Sequence, residues 1–214
     1  MGTESDQNID APSQLFRNNG EGTFTDVAKA AGVTNDRFTG GVVAGDYDAD
    51  GRPDLYVSNL GQENRLYHNK GDGTFEDVAP KLGVTGPIRS FPCWFFDYDN
   101  DGVLDIQVNA FGALPARLTA AALGIPFEGN LPCLYRGDGK GGFEEIGKKS
   151  GLVEPFSALG PNIGDLDNDG FLHFCAGTGR PEARDLVPNK PYHNLRGKGY
   201  ADVTLRTGLG HLQK

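Results

Sequence analysis

The feature that most constrains this chain is a nine-residue acidic segment that occurs three times. Residues 46–54 read DYDADGRPD, residues 97–105 read DYDNDGVLD, and residues 165–173 read DLDNDGFLH. A second motif alternates with it: LFRNNGEGTF from Leu15, LYHNKGDGTF from Leu66, LYRGDGKGGF from Leu134 and PYHNLRGKGY from Pro191. Each copy runs into a tail of one type, TDVAKAAGV, EDVAPKLGV, EEIGKKSGL or ADVTLRTGL. A chain written in such units folds as successive copies of one supersecondary structure.

The first complete unit divides into four β-type runs, GVVAGDY, DLYVSN, RLYHNK and TFEDVA, with the glycines of GDGT making a tight hairpin between the last two. Four antiparallel strands in 40–50 residues are the signature of a β-propeller blade. The sequence therefore predicts an all-β fold of about three and a half blades, an incomplete propeller. Residues 1–14 form a tail, 15–33 a half blade, and 39–85, 90–153 and 157–210 three full blades. Successive acidic segments begin 51 and then 68 residues apart. The longer interval contains LPARLTAAALGIP, residues 114–126, whose helix formers sit between a proline and a Gly-Ile-Pro stop. It reads as one short helix inserted into a blade.

Crowded carboxylates repel one another, and a cation offsets that cost. Asp at positions 1, 3 and 5 followed by Gly at 6 is how a tight loop wraps a hard, oxygen-seeking ion, and calcium accepts such a set in flexible geometry. The first loop would offer Asp46, Asp48, Asp50, Asp54 and the Arg52 carbonyl. The second would offer Asp97, Asp99, Asp101, Asp105 and the Val103 carbonyl. The third keeps Asp165, Asp167, Asp169 and the Phe171 carbonyl, with His173 at position nine. That loop reads as a weaker calcium site, the alternative being one retuned by its imidazole toward a transition metal. These loops are not EF-hands, because the bidentate Glu of position 12 is absent (Val108 in the second loop) and the flanks are strand-like.

The alternation of DxDxDGxxD loops with L(Y/F)xNxGxGTFxDV segments resembles the FG-GAP/VCBS repeat family of propellers. WFFDYDNDGVLDI, IGDLDNDGFLHF, GTGRPEARDLVPNK and TGLGHLQK are most similar to the propeller region of ASPIC/UnbV-type proteins. The resemblance runs from Leu15 onward, without that family's C-terminal ASPIC segment. It implies an extracellular, periplasmic or cell-surface protein with non-catalytic calcium loops.

The net charge of −9 argues against nucleic acid as a partner. Eleven of the 29 acidic residues lie in the three loops, and three calcium ions would leave a charge of about −3. No apolar run has the length of a membrane span. Three and a half units fall short of the four to eight blades of a closed propeller, so open blade edges would be covered by missing blades or by another chain.

Cys93 and Cys133 either pair or remain two buried thiols. His68 and His193 share a repeat position with Arg17 and Arg136, and read as strand surface. Trp94, Phe95 and Phe96 read as packing between blades. Arg180, Glu182, Arg184 and Asp185 fall in a long loop that reads as solvated and self-paired, the alternative being a partner contact. No nucleophile elbow, P-loop or zinc-ligand spacing is present. The leading function is thus a non-catalytic, calcium-binding propeller scaffold for extracellular adhesion or for recognition of a protein or carbohydrate ligand. The alternative is the propeller part of a secreted polysaccharide-acting enzyme with structural calcium.

Overall fold

The structure is a computed structural model and describes residues 12–112, 115–178 and 188–209. The elements run β1 (Phe16–Asn18), β2 (Phe24–Asp26), α1 (Ala28–Ala31), β3 (Thr39–Gly45), β4 (Asp54–Asn59), β5 (Arg65–Asn69), β6 (Phe75–Asp77) and α2 (Ala79–Leu82). They continue with β7 (Ser90–Phe96), β8 (Asp105–Ala110), α3 (Pro115–Ala122), β9 (Cys133–Gly137), β10 (Phe143–Glu145), β11 (Asn162–Gly164), β12 (His173–Ala176), β13 (Lys190–Asn194), β14 (Tyr200–Asp202) and α4 (Thr204–Thr207). Three four-stranded antiparallel sheets, each in sequential order, follow a two-stranded sheet of β1 and β2. These are propeller blades, and among the described residues they do not close into a barrel. The loop that includes Arg180, Glu182, Arg184 and Asp185 lies outside the described residues.

The insertion forms α3, with Pro115 in its first turn and Gly124 in the left-handed region just beyond its end. The sequence predicts that helix alone, whereas α1, α2 and α4 also form, each a single turn after the last strand of its unit. Four residues are too few to show helical periodicity. What makes the turns is chemistry at their ends. Asp26, Asp77 and Asp202 each accept the backbone N–H two residues on, at 2.8–3.2 Å. Gly32, Gly83 and Gly208 then close the turns with φ near +70°.

Adjacent blades pack face to face. Phe95 and Phe96, on alternating sides of β7, reach in opposite directions. Phe95 joins the cluster with Tyr56 and Leu66 of the first complete blade. Phe96 joins the one with Phe174 and Tyr192 of the third. The first strands of the first two complete blades approach so closely that a Cβ on Gly40 would stand 2.7 Å from the Ser90 carbonyl oxygen and 2.8 Å from Phe91 Cα. Both neighbours are backbone and cannot swing aside. Gly40→Ala is expected to cost about 1–3 kcal/mol through overpacking, read as a lower urea midpoint. An unchanged midpoint would show that the blades separate easily.

Cys93 and Cys133 are free. Both flank Val108, one from β7 and one from β9. Two strand spacings put them about 9–10 Å apart, beyond the roughly 7 Å reach of a disulfide. The two-thiol reading holds.

Candidate metal centres

Each acidic segment connects the first strand of a blade to the second. The three loops share one backbone: position four is left-handed at Ala49, Asn100 and Asn168, with φ of 57°, 60° and 60°. Position six is left-handed at Gly51, Gly102 and Gly170, with φ of 84–87°. The carboxylate at position one ties this turn together. Asp46 accepts the N–H groups of Asp50 and Gly51, Asp97 those of Asp101 and Gly102, and Asp165 those of Asp169 and Gly170, all at 2.8–3.2 Å. Position five accepts the N–H of position seven, at Arg52, Val103 and Phe171. Carboxylate oxygens carry several lone pairs, so these bonds orient the groups and leave capacity for an ion.

The turn gathers one oxygen each from Asp46, Asp48 and Asp50 within 4.8 Å of one another, and likewise from Asp97, Asp99 and Asp101. In the third loop Asp165, Asp167, Asp169 and His173 gather in the same way. Asp48 Oδ1 and Asp99 Oδ1 are buried and have no hydrogen-bond partner among the described residues. A buried carboxylate oxygen without a donor is costly. Both orphans belong to position three, whose carboxylate is gathered with the other two of its loop, and this donor set fits a hard divalent cation.

Position nine is placed differently. Asp54, Asp105 and His173 are the first residues of their strands, paired across the loop base with Gly45, Phe96 and Gly164. Asp54 and Asp105 are 0% and 1% exposed. Asp105 accepts the N–H groups of Tyr98 (2.7 Å) and Gly137 (2.8 Å). Asp54 accepts those of Tyr47 (3.4 Å) and Asn69 (2.7 Å). Each carboxylate thereby pins its loop to the third strand of the blade. Burial pushes Asp105 up to about 7 against the pull of those two amides. Burial likewise raises Asp54 above the usual carboxylate range. A cation in the loop would favour the ionised form of both.

The third strand supplies nitrogen-bearing partners from a position that reads in the sequence as strand surface. His68 Nδ1 lies 3.4 Å from Asp48 Oδ2 and 3.3 Å from Asp54 Oδ1. Arg136 Nε donates to Asp99 Oδ2 at 2.6 Å and its Nη2 to Asp101 Oδ2 at 2.7 Å. His193 Nδ1 lies 3.6 Å from Asp167 Oδ2. One repeat position thus faces the position-three carboxylate in every full blade. The available signal was that His68, Arg136 and His193 all carry nitrogen donors. Position five has its own cation: Arg52 pairs with Asp50, and Arg196 approaches Asp169 at 3.4 Å.

The loops also meet the next blade. Tyr47 packs on Phe143 with ring centroids 5.6 Å apart, and Tyr98 on Tyr200 at 5.3 Å. Asn194 Nδ2 donates to the Tyr98 carbonyl at 2.9 Å, and Asn100 Nδ2 to the Gly170 carbonyl at 2.9 Å. Whatever fixes a loop therefore also fixes a blade interface.

Sequential four-stranded blades, each with one acidic loop of common geometry after its first strand, define a propeller-type repeat protein. A family model described as FG-GAP-like repeat matches residues 5–57 and 46–108, and the chain belongs to this repeat family. It is similar to cartilage acidic protein 1 of Homo sapiens, at 30% identity over 184 residues, 84% of this chain and 26% of that protein. The Mus musculus protein of that name gives 30% over 184 residues, with 84% and 27% covered. That of Xenopus tropicalis gives 28% over 209 residues, with 95% and 30% covered. The chain spans less than a third of the length of these relatives.

Proposed function

We propose that this chain is a non-catalytic, calcium-stabilised repeat scaffold that presents its loops to a protein or carbohydrate ligand outside the cytoplasm. The observation that carries the reading is the pair of buried, partnerless oxygens of Asp48 and Asp99, on carboxylates gathered with two others in a loop of repeated geometry. Calcium would supply the charge these oxygens lack and hold two strands of a blade together. Asp46, Asp48, Asp50 and the Arg52 carbonyl would hold the first ion. Asp97, Asp99, Asp101 and the Val103 carbonyl would hold the second. Asp54 and Asp105 support the loops from below as buried negative charge. Asp165, Asp167, Asp169 and the Phe171 carbonyl form a weaker third site for calcium, since that carbonyl is already 2.9 Å from His173 Nδ1. The likeness to an extracellular repeat family supports placing the protein in the extracellular space, the periplasm or at the cell surface.

The third loop supports a proposal about partners. Leu166 stands where Tyr47 and Tyr98 meet the next blade, yet it is 63% exposed. A further blade or another chain would cover it.

Calorimetry on chelator-stripped protein, paired with melting curves with and without calcium, tests the reading. Two tighter calcium ions and one weaker, with a marked rise in melting temperature, are expected. No heat of binding and an unchanged melt would reduce the loops to solvated turns.

A further inference from the structure

We infer that Asp167, His173 and His193 form a binding site for a divalent transition-metal ion, distinct in chemistry from the oxygen-only loops of the two preceding blades. The three residues come from the acidic loop, β12 and β13, and one ligand atom of each lies within 4.8 Å of the others. His173 Nε2 and His193 Nδ1 stand 3.5 Å and 3.6 Å from Asp167 Oδ2. Those separations match the edge of a tetrahedron whose bonds are about 2.0–2.1 Å, which is about 3.3 Å.

The ring of His173 is already set for this task. It is 4% exposed, and its Nδ1 lies 2.9 Å from the Phe171 carbonyl oxygen. A carbonyl only accepts, so Nδ1 carries the proton and Nε2 presents a lone pair. An N–H held by a backbone carbonyl is the support that metal-binding histidines typically have. Nε2 in turn points at His193 Nδ1, 2.6 Å away. Without an ion the two nitrogens share a proton. With one, they separate by less than about 1 Å to reach the tetrahedral edge.

Two imidazoles and one carboxylate disfavour calcium, which takes oxygen, and suit zinc and its neighbours. Access is open: Asp167 and His193 line a cavity of about 420 Å³ with Asp169, Asn194, Leu195 and Arg196. The Arg196 guanidinium sits on Asp169, at 3.4 Å, leaving Asp167 to the histidines. The open side leaves room for water or a partner's side chain as fourth ligand.

Zinc titration of the whole chain in saturating calcium, by calorimetry, tests the inference. One zinc ion per chain is expected, taken up at the third loop in place of its weaker calcium ion, with which it shares Asp167. His193→Gln should weaken uptake at least about tenfold, while Asp48→Asn in the first loop should leave it unchanged. His173→Gln should act like His193→Gln. If that buried substitution prevents folding, the half-exposed His193 carries the test, with circular dichroism to verify its fold. Absence of zinc uptake in calcium, or uptake indifferent to His193→Gln, would overturn the site. Should the first two loops take no calcium while zinc uptake still depends on His193, the calcium reading fails and this one stands.

Discussion

Asp105→Ala is expected to destabilise the protein by about 3 kcal/mol or more even when no calcium is present. The carboxylate is buried and accepts two backbone N–H groups, from Tyr98 within the loop and from Gly137 on β9. Alanine leaves both donors without a partner, and each buried orphan costs about 1–3 kcal/mol. For a chain of this size that corresponds to a fall in melting temperature of roughly 6–12 °C. Asp105→Asn should fall in between, because one amide oxygen remains to accept while the amide NH₂ faces another donor. Thermal melts of the three proteins in chelator decide the matter. Were Asp105→Ala to melt within a degree of the parent in chelator, position nine would act only through a bound ion, and its account as a staple would fail.

The fold was legible because its unit is local and repeated. DLYVSN and RLYHNK carry strand composition between turn-forming glycines, and they become β4 and β5. The acidic loops were legible for the same reason, since Asp46, Asp48 and Asp50 meet through the turn that Gly51 makes. What was not legible depends on residues far apart in the chain. Arg136 reaches Asp99 and Asp101 across 35 or more positions, and only the register of β8 against β9 brings it there. His193 meets His173 across 20 positions by the pairing of β12 with β13. The role of Asp105 was hidden for another reason. An acid at position nine looks the same in sequence whether or not it also accepts two backbone amides, and only the strand pairing places those amides beside it.

Local and non-local parts meet in how the molecule bears its charge. Each loop has position-one and position-five carboxylates engaged by its own backbone, and a position-three carboxylate facing the third strand. Where that strand offers Arg136, both Asp99 and Asp101 are bridged by a fixed charge. Burial and these partners differ from blade to blade, so one motif yields loops of different appetite for ions. In the second loop one guanidinium holds both Asp99 and Asp101 against an incoming cation, whereas in the first Arg52 holds only Asp50 and a histidine faces Asp48. Calcium affinity should therefore be higher in the first loop than in the second.

Asp48→Asn isolates that first loop. Asp48 Oδ1 is buried without a donor, so that oxygen lacks a compensating partner until a cation reaches it. Replacing it with a neutral amide removes like-charge repulsion from Asp46, Asp50 and Asp54, and the melt in chelator should stay level or rise. The calcium increment should shrink. A site filled at one hundred times its dissociation constant contributes about 2.7 kcal/mol, which corresponds to roughly 5–10 °C for a protein of this length. Loss of that increment, with one fewer ion in the calorimeter, is the expected result. A variant that is weaker in chelator but gains as much from calcium as the parent would place Asp48 among the structural residues and return the first ion to other ligands. Set beside Asp105→Ala, the two substitutions act in opposite conditions: one reveals its cost without calcium, the other only with it. That contrast follows from a single physical difference, whether a buried carboxylate already has its donors or still awaits a cation.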